Sequence, residues 1–175
     1  MKYSLIILVS IFIFSCTDNT TKTIPKGIEN TSQTTYYLIR HAEKDRINPE
    51  DENPKLEEAG LLRAQKWAEI FSEVSLDAVY TSDFKRTMQT ATPIAENKNI
   101  KITTYDPHGI YETDFKEVTK GKNILVVGHS NTIPKLVNYL IEEDKYADIE
   151  DSVDGNLYIV TVHGNKTWST LLSLD

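Results

Sequence analysis

The 175-residue chain has a single cysteine, Cys16, so no disulfide can form within it. It also lacks an excess of basic residues, because 26 Asp and Glu outnumber 19 Lys and Arg and leave a formal charge of −7. Nucleic acid is therefore not an expected partner, since binding to a phosphate backbone needs a basic face. No apolar run in the sequence reaches the roughly 20 residues that cross a bilayer. What is present, 39% hydrophobic and 26% charged residues, is typical of one globular domain.

The N-terminal segment has the pattern of a secretory signal peptide. Lys2 provides a positive charge, and residues 5–14 form an apolar run that is too short to span a membrane. Cys16 follows an Ile-Phe-Ser tripeptide, which resembles a bacterial lipobox. In such signals the cysteine is lipid-modified and becomes the mature N-terminus, and several acyl chains on one residue give stable anchoring. The alternative is a plain secretory signal with an incidental cysteine.

These patterns predict three parts of the chain. Residues 1–15 are the expected lipoprotein signal peptide, and residues 16–34 are a lipidated N-terminus followed by a polar, flexible tether. Residues 35–175 form the folded domain. We expect it in the bacterial cell envelope, extracytoplasmic and attached to the membrane only by its lipid anchor.

Within the domain, strand patterns alternate with helix patterns, which indicates an α/β sandwich. The predicted strands are 35–39, 77–80, 100–104 and 123–127, and the predicted helices are 56–73, 83–96 and 131–142. Two further strands, 157–162 and 167–174, flank a Gly-Asn turn and predict a hairpin. The sheet should therefore be mixed and mostly parallel.

Two of the predicted helices carry more detailed expectations. In the first, Leu61, Ala64, Ala68 and Phe71 recur at helical spacing and are expected to form the buried face. Gly60, in its first turns, indicates either a close approach or a simple turn. In the second, Ser82 is placed as the N-cap.

Charged and polar residues follow three of the predicted strands where each ends. Arg40 and His41 follow the first, the segment that contains Arg86 follows the second, and His129 follows the fourth. Ligands of open α/β sheets bind at the carboxyl ends of strands, so these side chains are expected to converge. Two arginines and two histidines without a cage of carboxylates predict a phosphoryl-transfer site.

The chemistry of such a site assigns each group a role. A neutral imidazole is a competent nucleophile near pH 7, and Arg40 and Arg86 disfavour a proton on His41 while binding phosphate oxygens. His129 can donate a hydrogen bond, as can Ser130 and backbone amides at a helix start. A metal site of His41, Glu43 and His129 is the alternative, and the adjacent arginines disfavour it.

Four segments, in this order, resemble motifs of the histidine phosphatase superfamily, to which phosphoglycerate mutases belong. They are Arg40-His41-Ala42-Glu43, residues 56–64, residues 82–91 and Val127-Gly128-His129-Ser130-Asn131. The resemblance covers about residues 35–142. It implies a three-layer αβα sandwich of the phosphoglycerate mutase type, a phosphohistidine formed on His41, and no cofactor.

The general acid that protonates the leaving oxygen is less evident. In the larger mutase-like members a glutamate serves, in the region after the second arginine motif. Asp106, Glu112 and Asp114 occupy that region here, and Asp106 is the first choice because it follows a strand end, with Glu112 next. The histidine-aspartate pair of the phytase-like branch is missing, since Ser130 follows His129.

The combined interpretation is a phosphomonoester hydrolase that acts on a small phosphorylated substrate or a phosphoprotein. Mutase-type phosphoryl transfer is one alternative, but only about 35 residues connect the second arginine motif to the strand at 123–127, too few for an elaborate cap. The other alternative is a non-catalytic surface module that binds phosphorylated ligands.

Overall fold

A computed structural model describes residues 32–174 of the chain. The predicted signal peptide, the lipobox Cys16 and nearly all of the predicted tether therefore lie outside the described residues. None of the helices within 32–174 is long and apolar enough to cross a membrane.

Strands and helices alternate along this part of the chain. The strands are β1 (Thr34–Arg40), β2 (Ala78–Ser82), β3 (Ile102–Tyr105), β4 (Asn123–Gly128), β5 (Asn156–His163) and β6 (Lys166–Ser173). The helices are α1 (Glu58–Ile70), α2 (Lys85–Lys98), α3 (Phe115–Val118) and α4 (Thr132–Ile141), with a short 3-10 helix at Ile110–Glu112. All the predicted strands are present. The two short helical segments between β3 and β4 lie where no element was predicted.

The strands form one sheet in the order β3-β2-β4-β1-β5-β6. The first four are parallel to one another, β5 is antiparallel to β1, and β6 is antiparallel to β5. The predicted mixed, mostly parallel sheet is therefore confirmed. The carboxyl ends of β1, β2 and β4 lie side by side at one edge.

Helices cover both faces of this sheet. Trp67 of α1, Phe71 at the C-cap of that helix and Ile94 of α2 are buried against one face. Phe115 of α3 and Ile133 of α4 are buried against the other. Each such side chain stabilises the fold by about 1.5–3 kcal/mol on burial. The three-layer αβα sandwich is confirmed.

The buried face of α1 differs in one position from the predicted one. Ala64, Ala68 and Phe71 are buried as expected, but Leu61 is 47% exposed and Trp67 is buried in addition. The helix is rotated about its axis so that the larger side chain of Trp67 enters the core, which leaves Leu61 at the edge of the buried face.

Gly60 makes the close approach that was one of the two expectations for it. A Cβ atom there would lie 2.2 Å from the carbonyl oxygen of Glu43, so no larger residue fits without a backbone shift. The same carbonyl accepts a hydrogen bond from the amide of Glu57 over 3.1 Å. The start of α1 is thereby fixed against the loop that follows β1.

The prediction that Ser82 caps α2 is wrong. Ser82 is the last residue of β2, the chain bends at Asp83 and Phe84, and Phe84 holds the N-cap position without a side-chain hydrogen bond. The helix begins later than predicted because the hydroxyl of Ser82 is bonded to His129 instead of the helix backbone.

Candidate active site

Two neighbouring strand ends bring the two predicted histidines together. In the parallel pair β1 and β4, Arg40 lies opposite Gly128, and the amide of His41 donates to the carbonyl of Gly128 over 2.9 Å. His129 follows directly, so the ring centres of His41 and His129 lie 5.5 Å apart. Because β2 pairs with β4 on its other side, the start of α2 reaches the same edge.

The ring of His41 is held in one tautomer. Its Nδ1 lies 2.8 Å from the carbonyl oxygen of Ala42, which can only accept, so Nδ1 carries the hydrogen and Nε2 keeps a lone pair. The hydroxyl of Thr90 accepts from the amide of Ala42 over 3.0 Å and fixes this loop. Burial is the main cause that lowers the pKa of His41 to about 3, and the charges of Arg40 and Arg86 act in the same direction. The hydrogen bond to the Ala42 carbonyl acts in the opposite direction and raises the pKa. The ring is therefore neutral at pH 7, with Nε2 available as a nucleophile.

A chain of hydrogen bonds fixes the second histidine. Arg86 Nη2 lies 3.4 Å from His129 Nδ1, which must accept because a guanidinium only donates. His129 Nε2 then carries the hydrogen and donates to Ser82 Oγ over 2.8 Å. Ser82 Oγ donates to Thr87 Oγ1 over 3.2 Å, and Thr87 Oγ1 donates to the carbonyl of Ser82 over 2.7 Å. Each donor in the chain has an acceptor, so the orientation of His129 is defined.

His129 is also neutral near pH 7. Burial lowers its pKa to about 4, and the charges of Arg86, His108 and Arg40 act in the same direction. Phe84 packs its ring edge-on against the imidazole, with ring centres 5.0 Å apart, and shields it from solvent.

Arg86 lies at the first turn of α2 with unused hydrogen-bonding capacity. Its guanidinium carbon lies 4.5 Å from the centre of the Phe84 ring, and its Nη1 is 3.5 Å from the carbonyl of Glu52. Its Nε is buried and has no partner among residues 32–174. Burial, followed by the charge of Arg40, lowers the pKa of Arg86 from its usual value. A buried, unpaired N–H costs about 1–3 kcal/mol, which a bound anion would remove.

Arg40 is 2% exposed, and the segment before β5 holds most of its guanidinium. Nη1 donates to the carbonyls of Glu150, Asp151 and Val153 at 3.0–3.1 Å, and Nη2 donates to the carboxylate of Asp151 over 2.8 Å. Asp154 adds a carboxylate oxygen 3.3 Å from Nη1. Nε is buried without a partner in the described part of the chain. Phosphate binding by Arg40 stays a prediction, and its Nε–H is a donor that no group in residues 32–174 engages.

The two candidate general acids, Asp106 and Glu112, are exposed side chains. Asp106 Oδ1 accepts from the amide of His108 over 2.9 Å and so caps its own turn. Glu112 belongs to the exposed 3-10 helix. The charged groups that most affect the pKa values of His41 and His129 are all basic. The acid role of Asp106, with Glu112 as its alternative, stays a prediction.

Ser130 lies where the prediction puts it, between His129 and the first turn of α4. Its carbonyl accepts from the amide of Ile149 over 2.9 Å, and the hydroxyl of Thr132 accepts from the amide of His129 over 3.1 Å. The N-terminal end of a helix carries a partial positive charge that favours an anion. Phosphate binding by Ser130 stays a prediction.

The alternative metal site is not assembled in the described residues. Glu43 Oε1 instead accepts from Nε and Nη2 of Arg63, each over 2.8 Å. Residues 32–174 contain no group of three or more His, Cys, Asp or Glu side chains that could hold a metal ion.

Sequence reasoning missed the side chains that position the predicted ones. Ser82 and Thr87 orient His129, Phe84 shields it, and Asp151 with its neighbours holds Arg40. For Ser82 and Thr87, the only signal in the sequence was the position of Ser82 four residues before Arg86. The same position is also compatible with a helix N-cap at Ser82. Nothing local marks Asp151, which lies 111 residues from its partner.

Comparisons with known proteins give one family match and several similar folds. Residues 36–119 match the family model of the histidine phosphatase superfamily (branch 1), a range that begins inside β1, includes all of β2 and α2, and ends before β4. Over this range the chain is similar to the histidine phosphatase superfamily.

Individual relatives share either part of the sequence or the fold. Phosphoserine phosphatase 1 of Hydrogenobacter thermophilus is 39% identical over 74 residues, which cover 39% of this chain and 35% of that protein. The match thus spans about a third of the length of this curated relative. A mycobacterial glucosyl-3-phosphoglycerate phosphatase superposes with a TM-score of 0.62 at 12% identity, covering 81% of this chain and 98% of its own. Phosphoglycerate mutase from Bacillus anthracis gives 0.62 at 13% identity, covering 82% and 93%. At such identities the structural likeness shows the fold alone.

Proposed function

We propose that this protein hydrolyses phosphomonoesters through a phosphohistidine intermediate on His41. One observation carries the proposal: His41 is neutral, its Nδ1–H is bonded to Ala42, and its Nε2 lone pair faces no protein partner in the described residues. An imidazole held in this way beside two guanidinium groups is suited to attack an electrophilic phosphorus.

In the first step, His41 Nε2 forms a bond to phosphorus while the bond from phosphorus to the ester oxygen breaks. The buried Nε–H groups of Arg40 and Arg86 donate to the phosphoryl oxygens, where negative charge concentrates. The leaving oxygen gains a proton and departs as an alcohol. Asp106 is the proposed donor of that proton, and Glu112 is the alternative.

In the second step, water attacks the phosphohistidine. A new P–O bond forms, the P–N bond breaks and Nε2 recovers its lone pair. One proton of the water stays on the phosphate, and the other returns to the carboxylate that protonated the leaving oxygen. His129 stays oriented by Ser82 throughout and can donate to the phosphoryl group if it gains a proton.

The substrate is proposed to be a small phosphorylated molecule or a phosphoprotein. The name of the Hydrogenobacter relative makes phosphoserine the first compound to test. A panel that adds an aryl phosphate, phosphoglycerate and a phosphorylated protein covers the other candidates. Transfer of phosphate between positions of phosphoglycerate without net release would favour mutase chemistry instead.

The decisive experiment is a rapidly quenched reaction with a ³²P-labelled monoester. We expect label on the protein that acid removes and alkali preserves, and we expect His41→Ala to lose both label and turnover. His163→Ala, at the end of the β5–β6 hairpin, is the matched histidine control and should keep both. Label that persists in His41→Ala would show that another residue is the nucleophile. Turnover without any label would favour direct attack by water.

We further propose that the protein is a lipoprotein of the bacterial cell envelope, anchored through Cys16 with its domain extracytoplasmic. The support is the sequence pattern of residues 1–16. Cys16→Ala should release the protein from membranes or block its processing. A variant that matures and fractionates like the unaltered protein would contradict the anchor.

A further inference from the structure

The connecting segment of residues 142–155 joins α4 to β5 and contains neither a helix nor a strand. Most of its side chains are exposed, and only Ile149 and Gly155 are buried. It nevertheless presents three carbonyl groups to Nη1 of Arg40, each at 3.0–3.1 Å. An exposed, irregular segment keeps one conformation only where other elements hold it. The contacts that fix its backbone therefore decide how the Arg40 guanidinium is oriented.

Asn138 of α4 makes three side-chain hydrogen bonds to the backbone of the connecting segment. Its Oδ1 accepts from the amide of Lys145 over 3.2 Å and from the amide of Tyr146 over 2.9 Å. Its Nδ2 donates to the carbonyl of Tyr146 over 2.9 Å. The backbone carbonyl of Asn138 also accepts from the amide of Glu143 over 3.2 Å. One residue of α4 thus sets the path of the chain over residues 143–146.

A second contact fixes the connecting segment to the other end of α4. The side chain of Ile149 is buried in the core, and its amide donates to the carbonyl of Ser130 over 2.9 Å. Helical bonding starts at His129, whose carbonyl accepts from the amide of Ile133, so the eight residues from Ser130 to Asn138 rise about 12 Å. The three residues from 146 to 149 reach about 10–11 Å when extended. The chain between the two contacts therefore has little slack, and a shift at residue 146 also moves residue 149.

The carbonyl groups that hold Arg40 follow Ile149 directly. The carbonyl of Glu150 accepts from the amide of Val153 over 3.0 Å, which closes a four-residue turn. Three carbonyls of this turn accept from Nη1 of Arg40, and the side chain of Asp151 accepts from Nη2. Because the guanidinium is planar, these bonds also fix the direction of Nε, which has no partner among residues 32–174.

We propose that Asn138 is a positioning residue of the active site, which holds the Arg40 guanidinium through the connecting segment so that its Nε–H points toward the phosphoryl group. The inference rests on the proposed function, in which Arg40 binds phosphate. The side chain of Asn138 bonds to Lys145 and Tyr146, so its effect reaches the site through the chain that follows them.

Loss of the Asn138 side chain should displace the connecting segment without unfolding the domain, because the side chain of Tyr146 holds the same residue to the sheet. Its ring packs edge-on against Tyr158 of β5, with ring centres 5.0 Å apart. Its hydroxyl lies 3.0 Å from Oγ of Ser169 in β6. A small shift of the backbone at residue 146 is therefore the expected change, and Arg40 is where it acts on the site.

Phosphate binding tests the inference in the full-length protein without requiring turnover. In Asn138→Ala, the dissociation constant for inorganic phosphate should rise about three- to tenfold by isothermal titration calorimetry. KM for an aryl phosphate should rise by a similar factor, with kcat within about twofold. Lys135→Ala, at an exposed position of the same helix, is the control and should change neither constant. Unchanged phosphate affinity in Asn138→Ala, or no binding by the unaltered protein, would overturn the inference. A protein that binds phosphate but hydrolyses no ester would contradict the proposed function, and the phosphate affinities would still decide this inference.

A double-mutant cycle separates an effect through Arg40 from a general loss of structure. Arg40→Met removes the guanidinium, keeps an unbranched side chain and should itself weaken phosphate binding. In that background Asn138→Ala should have no further effect, because the group that it positions is gone. An equal loss of affinity in both backgrounds would overturn the inference. If Arg40→Met does not fold, the ¹⁵N signal of the Arg40 Nε–H decides instead: its exchange with solvent should be faster in Asn138→Ala, and an unchanged rate would contradict the role of Asn138.

Discussion

The Oγ of Ser82 lies 2.8 Å from Nε2 of His129 and makes this serine a positioning residue of the site. Ser82 is fully buried, and its hydroxyl passes its own hydrogen to Thr87. The side of His129 that could bind a proton, Nδ1, is therefore turned toward Arg86. Ser82, the last residue of β2, thus determines that Nε2 of His129 carries the hydrogen and Nδ1 does not.

Ser82→Ala should lower kcat by roughly three- to tenfold, the effect of one buried hydrogen bond of about 1 kcal/mol. The tautomer of His129 should become mixed in ¹⁵N NMR spectra, which a merely structural change would not produce. Thr87→Val is the control, because it removes the next hydroxyl and leaves the Ser82–His129 bond. Unchanged His129 signals in Ser82→Ala would contradict the role given to the serine.

Acidification should destabilise the fold through the two site histidines. Their pKa values, about 3 for His41 and about 4 for His129, lie below the usual value near 6.5. As the pH falls below about 6.5, the unfolded chain binds protons that the folded chain does not, so the free energy of unfolding decreases.

Between the folded and the unfolded pKa values, the free energy of unfolding should fall with pH by up to about 1.4 kcal/mol per pH unit for each histidine. Urea unfolding between pH 7 and 5 measures it, with a His41→Gln/His129→Gln double variant as the reference. A slope that the double variant does not reduce would show that other groups cause the pH dependence.

Gly60→Ala should destabilise the domain by about 1–3 kcal/mol, even though alanine is the better helix former. The added methyl carbon would lie 2.2 Å from the Glu43 carbonyl, and the loop after His41 must then move. Leu62→Ala, at a 67% exposed position of the same helix, is the control and should change little. Equal urea midpoints for both variants would show that the contact is not needed.

Asp151→Ala should raise KM for the phosphomonoester by roughly two- to fivefold and leave kcat nearly unchanged, because Arg40 loses one of its hydrogen bonds, worth about 1 kcal/mol. The bonds from Arg40 to the three backbone carbonyls would remain. Arg46→Ala provides the comparison, since Arg46 contacts Asp151 over 2.8 Å without contacting Arg40. A fall in kcat with KM unchanged would contradict a role in placing the guanidinium.

The sheet and the residues at its strand ends could be predicted because their signals are local. Two of the apolar strands are followed within two residues by their histidine, as with Ile39 and His41, and Arg86 follows β2 by four residues. Parallel neighbours then bring these strand ends together. The family resemblance added the assignment of His41 as the nucleophile.

What could not be predicted depends on contacts between distant residues. Ser82 has the same local pattern whether its hydroxyl caps a helix or accepts from His129, and only the pairing of β2 with β4 decides between them. Leu61, which the periodicity predicts to be buried, is exposed, and Trp67 is buried instead, because side-chain packing and not periodicity sets the rotation of α1 about its axis. Nothing in the local sequence of residues 150–154 predicts that they hold the Arg40 guanidinium.

The distance in sequence between Arg40 and that segment has a consequence for biosynthesis. Arg40 and Glu150 are 110 residues apart, so a ribosome that adds about 5–20 residues per second makes them about 5–20 s apart. Once His129 has been added, the nascent chain contains both histidines and Arg86, while β5 and the carbonyls that orient Arg40 are still missing. The proposed anion site can therefore be completed only after nearly all of the chain has been made.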